Sequence, residues 1–556
     1  CIHKTISAIK SLVIKAKQSK QSRLRTPVKS PAFLFLNRMQ LRHSYCYSSF
    51  LLWLLCALAC NNRAVVFTQM PATETGVEFM NKVVETDSFD IFHYPYLFAG
   101  AGVAVGDVNN DGWDDVFLVA NRRGGNKLLL NKGGWRFEDV TGKAGIAQKS
   151  DWNTGVVMAD VNTDGWLDIY VSTVTIPGKL ESVNQLFINN RNGRFTESAA
   201  QYGLDKSLHT TQSAFFDYDR DGDLDCFLLN HAVNYTDDFT NIQARQKKDA
   251  ASGSKLLRND NDFFTDVTDS VGVFSSPNQY GLGVAVADLN NDSWPDLYVS
   301  NDFKENDFCY INKGGRFVNE SDSLFAHVSR FSMGNDAADY NNDGWTDVLT
   351  LDMLSPDEKI LKTSLGDDDI ETYNYKHRNF GFHYQFSRNA LQQNMQGKLF
   401  CDVALQQGVA ATDWSWAPLL ADFNNDGRKD LYISNGFRYR TNDLDFGIFA
   451  QNTALSNARL NQSTNRHALT KYLPDGSVAD YFFWNEGTSG FEDASGAAGF
   501  TKPTLSSGCA YSDLDNDGDL DLVVNRINEA PGIYRNNNSA GNYLAVSLQG
   551  SGKNTF

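Results

Sequence analysis

Short apolar runs alternate along most of the chain with clusters of Asp, Asn and Gly, and the alternation is itself periodic. A small-and-apolar run, such as Gly102–Gly106, Gly155–Ala159 or Gly283–Ala287, leads into an Asp-rich segment of nine residues. A β-prone run follows, as in 116–119, 169–171, 297–299, 431–433 and 522–524. A third run ends in Asn, at Asn131, Asn189, Asn312 and Asn485, and a fourth carries Phe137, Phe195, Phe264, Phe317, Phe400 or Phe491. Branched and aromatic residues bounded by Asn and Gly predict strands, four to a unit.

The Asp-rich segment opens seven times, at Asp107, Asp160, Asp217, Asp288, Asp339, Asp422 and Asp513. The shortest interval, 51 residues, is the length of one propeller blade, and the longer ones, up to 91, are blades with inserted loops. The pattern predicts an all-β, seven-bladed propeller of four-stranded antiparallel blades over residues 61–538. The last unit lacks a Phe-bearing strand after Tyr534. Val77–Lys82 fits that pattern ahead of the first unit and is expected to complete the last blade and close the ring.

Each segment reads Asp-x-Asn/Asp-x-Asp-Gly-x-x-Asp. The candidate metal ligands at positions 1, 3, 5 and 9 are Asp107, Asn109, Asp111 and Asp115 in the first unit, and Asp160, Asn162, Asp164 and Asp168 in the second. Asp217, Asp219, Asp221 and Asp225 follow in the third, Asp288, Asn290, Asp292 and Asp296 in the fourth, and Asp339, Asn341, Asp343 and Asp347 in the fifth. Asp422, Asn424, Asp426 and Asp430, then Asp513, Asp515, Asp517 and Asp521, complete the set. Oxygen donors on alternate residues, turned tightly by a Gly, suit a hard cation that takes six to eight oxygens, so up to seven Ca²⁺ are expected. The bidentate Glu of a helix-flanked calcium loop is absent at position 12, where Leu118 and Val171 stand. Asx turns without metal would use the same residues, but seven repeats in one frame favour the cation. The fourth loop departs from the rest, with Ser293 in place of Gly.

Charge supports that reading. The formal net charge is −17, and the first 60 residues hold basic but no acidic side chains, so the body is more acidic than the whole. Two like charges ~4 Å apart cost roughly 4 kcal/mol at an effective dielectric near 20, which bound cations would relieve. Such a body repels nucleic acid and anionic membranes. No His/Cys zinc cluster, nucleophile elbow or phosphate loop stands outside the Asp segments. Cys226, Cys309, Cys401 and Cys509 are too far apart for a disulfide framework and are expected to be core thiols.

Residues 1–38 precede the first Met and read as an upstream or mis-called segment. Residues 39–60 read as a signal peptide ending Ala57-Leu58-Ala59-Cys60, so the chain is expected to be exported. Lipidation at Cys60, giving a membrane anchor, and ordinary cleavage near Ala59 are both open. The ten-residue apolar stretch Phe50–Ala59 is too short to span a bilayer.

These residues resemble the FG-GAP/VCBS repeat family, related to the integrin α-subunit propeller. Thr412–Ala417, Phe216–Asp225 and Ala510–Asp521 further resemble exported proteins of Bacteroidetes-type bacteria and the cartilage acidic proteins, in which an ASPIC/UnbV domain follows the propeller. Residues 539–556, with Asn542–Gly550, look like the start of that domain, cut short. The resemblance implies the fold and calcium sites and little about activity.

Long inserts fall between second and third strands, at 173–183, 231–253, 352–388 and 437–479, and crowd the face away from the Asp loops. Asp413, Trp414, Trp416, Arg438, Tyr439 and Arg440, with Phe382, His383 and Tyr384 beside them, form a candidate ligand site. The expected function is a cell-surface binding or adhesion module for a protein or glycan. The alternative is a polysaccharide lyase or hydrolase, for which His383 with Tyr384 and Arg388 would be the residues, or an accessory factor to such an enzyme.

Overall fold

The computed structural model describes residues 66–538 and 543–544, apart from 233–245, 250–251, 304 and 460–464. The upstream segment, the signal peptide and nearly all of the segment after 538 therefore lie outside the described residues. So does much of the blade three insert.

Seven four-stranded antiparallel sheets follow one another in chain order. In blade one, Val103–Gly106 pairs with Asp115–Leu118, which pairs with Lys127–Asn131 and then Phe137–Asp139. Blades two to six repeat the order. In blades five and six an insert separates the second strand, Asp347–Thr350 or Asp430–Asn435, from the third, Ala390–Asn394 or Tyr481–Asn485.

Strand three ends on Asn opposite the Phe of strand four in every blade: Asn131 faces Phe137, Asn189 faces Phe195, Asn259 faces Phe264 and Asn312 faces Phe317. Asn394 faces Phe400 and Asn485 faces Phe491. The seventh pair is Asn536 with Phe67, so the closing strand is Phe67–Gln69 and not Val77–Lys82. The ring does close with an N-terminal strand, but ten residues earlier than the expected one. Phe67 lies edge-on to Phe482 at 5.3 Å and Phe423 at 5.7 Å, filling the pocket that a fourth-strand Phe fills elsewhere. Val77 and Phe79 are buried beside Ile533 between the first and last blades, which is why they carry the apolar pattern of a strand.

The innermost strands surround a central channel of about 470 Å³ and pack closely where their glycines meet. A Cβ on Gly155 would lie 2.7 Å from the Thr211 carbonyl. Apolar residues between adjacent blades form the core, as where Phe117, Val119, Ile169 and Phe187 meet. Of the four thiols, Cys226 and Cys309 are core residues as expected. Cys401 is exposed, because it faces outward on the last strand of blade five.

The Asp-rich loops and the opposite face

Each Asp-rich segment joins strand one to strand two, which places all seven loops on one face of the ring. The first Asp organises the turn. Its Oδ1 accepts the amide of position 5 at 2.8–3.1 Å. Its Oδ2 accepts the amide of position 6 at 2.7–3.1 Å. Position 6 needs a positive φ, 85° at Gly112, and Ser293 adopts the same region at 70°. The fourth loop thus keeps the fold of the others despite lacking Gly, with strain that a Gly would avoid.

The last Asp of each loop is fully buried and braces two strands. Asp115 accepts the Val108 amide at 3.1 Å through Oδ2 and the Asn131 amide at 2.8 Å through Oδ1. Asp168, Asp225, Asp296, Asp347, Asp430 and Asp521 repeat both bonds. Burial pushes these carboxyls up, to about 7 for Asp115, Asp168 and Asp347, about 8 for Asp225 and Asp430, and about 9 for Asp521. Backbone amides offset part of the shift, and neighbouring loop carboxylates add to it. A buried carboxylate held this high gains from a proton or a nearby cation. Buried, unpartnered Oδ1 atoms on Asp219, Asp515 and Asp519 fit the same requirement. The donor set of carboxylate, carboxamide and carbonyl oxygens could hold a hard divalent ion.

Two asparagines that the sequence reading did not use stitch the loops together. Position 4 lies in the left-handed region in every loop, and where it is Asn its amide reaches the next loop: Asn110 donates to the Gly165 carbonyl at 3.2 Å and Asn516 to Gly112 at 3.0 Å. The strand-three Asn donates to the preceding blade, as Asn189 does to the Val108 carbonyl at 2.7 Å. The repeated terminal Asn was visible in the sequence, but its partner in another blade was not.

On the opposite face, the candidate ligand residues come together and are largely spent on one another. Arg440 holds Asp413 through two bonds, 2.9 and 3.1 Å, with both side chains buried. Trp414 stacks on Phe437 at 4.5 Å, and Trp416 donates its indole N–H to the Gly436 carbonyl at 2.9 Å. Tyr439 donates to Glu85 at 2.7 Å. Arg438 alone is half exposed, near Asp475 at 3.7 Å. His383 is bonded through Nε2 to the Phe325 carbonyl and Arg388 is paired with Asp402, so the residues considered for a lyase serve packing here.

A strap of residues 81–101 crosses this face, and the sequence reading missed it. Asn81 donates to Asn121 of blade one, Tyr94 meets His231 of blade three and Tyr96 donates to Asp302 of blade four. Val83 donates to Asn528 of blade seven, while Tyr94 and Tyr96 stand with Trp152 at one end of the channel. Asp90, fully buried, accepts from His93 Nδ1 at 2.6 Å and lies 3.3 Å from His467 Nδ1 of the blade six insert.

The geometry defines a seven-bladed β-propeller, and residues 101–171, 175–228 and 288–350 match the FG-GAP-like repeat. Over 205 residues the chain is homologous to cartilage acidic protein 1 of Xenopus tropicalis, at 31% identity, covering 36% of this chain and 28% of that protein. The Mus musculus and Homo sapiens proteins of the same name are 28% and 27% identical over 36% of this chain and 29% and 28% of theirs. The chain thus spans under a third of the length of these relatives. Among solved structures, the V. cholerae biofilm matrix protein Bap1 aligns with a TM-score of 0.28 and 13% identity, over 54% of this chain and 38% of that one, which is too slight a likeness to bear on function. Among the described residues no helix is long and apolar enough to cross a membrane.

Proposed function

We propose that this protein is an exported, calcium-binding propeller that acts as a cell-surface binding module for a protein or glycan. The observation that supports this is segregation: the oxygen-rich loops occupy one face, and the long inserts occupy the other. Calcium in the loops would hold the ring rigid, and the inserts would make the contacts. The inserts of blades five and six meet where Leu365 donates to the Asn442 carbonyl at 2.9 Å. They expose Ile370, Tyr375, Ile448, Phe449 and Tyr472, side chains that a folded protein ordinarily covers. This replaces the Asp413, Trp414, Trp416 and Arg440 cluster as the contact surface, with Arg438 beside it.

The test is a glycan and surface-protein binding screen on the full chain, in calcium and in chelator. Ile448→Asp with Tyr472→Asp should abolish a calcium-dependent interaction without lowering the melting temperature. Binding that survives those changes and is lost on altering the Asp-loop face would contradict the proposal.

A second reading, polysaccharide processing, has one observation behind it. Asp90 orients the partly exposed His93 through a 2.6 Å bond and lies 3.3 Å from His467 on the insert face, and a buried carboxylate beside an imidazole is a general-base arrangement. New reducing ends or unsaturated products from a polysaccharide panel, lost in His93→Ala or His467→Ala, would favour it over binding alone.

A further inference from the structure

The seven loops are not chemically equal. Blades three and seven carry Asp at every odd position: Asp217, Asp219, Asp221, Asp223 and Asp225, and Asp513, Asp515, Asp517, Asp519 and Asp521. The other five have Asn at position 3 and Trp or Arg at position 7. Among the described residues, only these two loops gather three carboxylates, from positions 1, 3 and 9, with an oxygen of each within 4.8 Å of the others. Asp519 is 5% exposed and its Oδ1 has no hydrogen-bond partner, although its charge bears on Asp521 in the same loop. Asp219 and Asp515 each keep a buried oxygen in the same condition. Calcium affinity rises with the number of charged ligands, and that number is greatest in these two loops.

The blade seven loop also sits at the seam where the ring closes. Trp135 of blade one donates its indole N–H to Asp515 Oδ2 at 3.0 Å, and Asn131 donates to the Leu514 carbonyl at 2.8 Å. Asp521 Oδ1 accepts the Asn536 amide at 2.9 Å, and Asn536 pairs with Phe67 of the closing strand. An ion held by Asp513, Asp515 and Asp521 is therefore tied to the first blade, the last blade and the N-terminal strand at once.

We propose that the loops of blades three and seven form a separate, tighter class of calcium site, and that the one in blade seven locks ring closure. This rests on the reading that the loops bind calcium. Calorimetric titration of the calcium-stripped full chain should resolve two sites at least about tenfold tighter than the rest. Asp219→Asn with Asp515→Asn gives both loops the Asn that the other five carry at position 3. The tight class should then vanish, while the remaining uptake persists and the melting temperature in chelator does not fall. Asp111→Asn in blade one should leave the tight class intact. Amide exchange across Phe67–Gln69 should slow as the first two equivalents bind, and should not do so in Asp515→Asn. A single class of equal sites, a tight class that survives the double change, or exchange that ignores the first equivalents would overturn the proposal. Absence of calcium uptake by the unaltered chain would overturn the calcium reading itself, and is told apart by that result.

Discussion

Arg440 and Asp413 form a buried, two-bond ion pair joining the entry of blade six to its long insert, with side-chain exposures of 10% and 4%. Asp413 also accepts from Ser355 at 2.6 Å, so the pair reaches the blade five insert as well. Its role is to fix the two inserts to the ring. Removing one partner leaves a buried charge uncompensated, which costs about 3–5 kcal/mol. Arg440→Ala should therefore lower the unfolding free energy obtained from urea titration by that amount, whereas Arg438→Ala, at a half-exposed side chain, should leave it within about 0.5 kcal/mol. Arg440→Met with Asp413→Asn should recover much of the loss.

The closing strand makes a second prediction. Phe67 is 2% exposed and fills the last blade's outer pocket. Phe67→Ala should destabilise the fold by about 3–5 kcal/mol. A chain starting after Gln69 keeps Val77–Lys82 but leaves the edge of Gly532–Asn536 unpaired, and it should associate or aggregate, as size-exclusion chromatography would show.

Buried histidines set a pH dependence. Burial pushes His209 down to about 4 and His231 to about 3, with their rings 4.9 Å apart beneath the strap. Their folded values lie below the ordinary 6.5, so the unfolded chain takes protons first. The stability they contribute is complete above pH 6.5 and is lost as pH falls from there toward 4. Asp302 and Asp307, pushed up to about 7 by burial, act in the opposite sense: their contribution is complete below about pH 4 and is lost as pH rises through 7. Urea midpoints between pH 7 and 4.5 in saturating calcium should fall less steeply for His231→Gln than for the unaltered chain.

The repeat made the blades legible, because each strand carries a marker in a fixed frame: Asp before strand two, Asn ending strand three, Phe opening strand four. The same markers identify Phe67-Thr-Gln, which reads like Phe195-Thr-Glu and Phe264-Thr-Asp, as the missing strand. Val77-Glu-Phe79 competed because residues buried between two blades alternate as a strand does. The insert residues were legible only as a neighbourhood. Sequence placed Asp413 and Arg440 on one face, but which acceptors a guanidinium finds depends on the fold of two inserts that share no period. The strap was hidden for the same reason, since its aromatic side chains contact residues of blades two, three, four and six and follow no repeat.

Thermal unfolding of the full chain in millimolar calcium and in excess chelator tests the account most directly. At calcium a hundredfold above its dissociation constant, each occupied loop adds about 2.7 kcal/mol by mass action, so chelation should lower the melting temperature markedly and re-added calcium should restore it. An identical melting temperature in the two conditions would show that the Asp-rich loops hold the ring through their own amide bonds, without calcium.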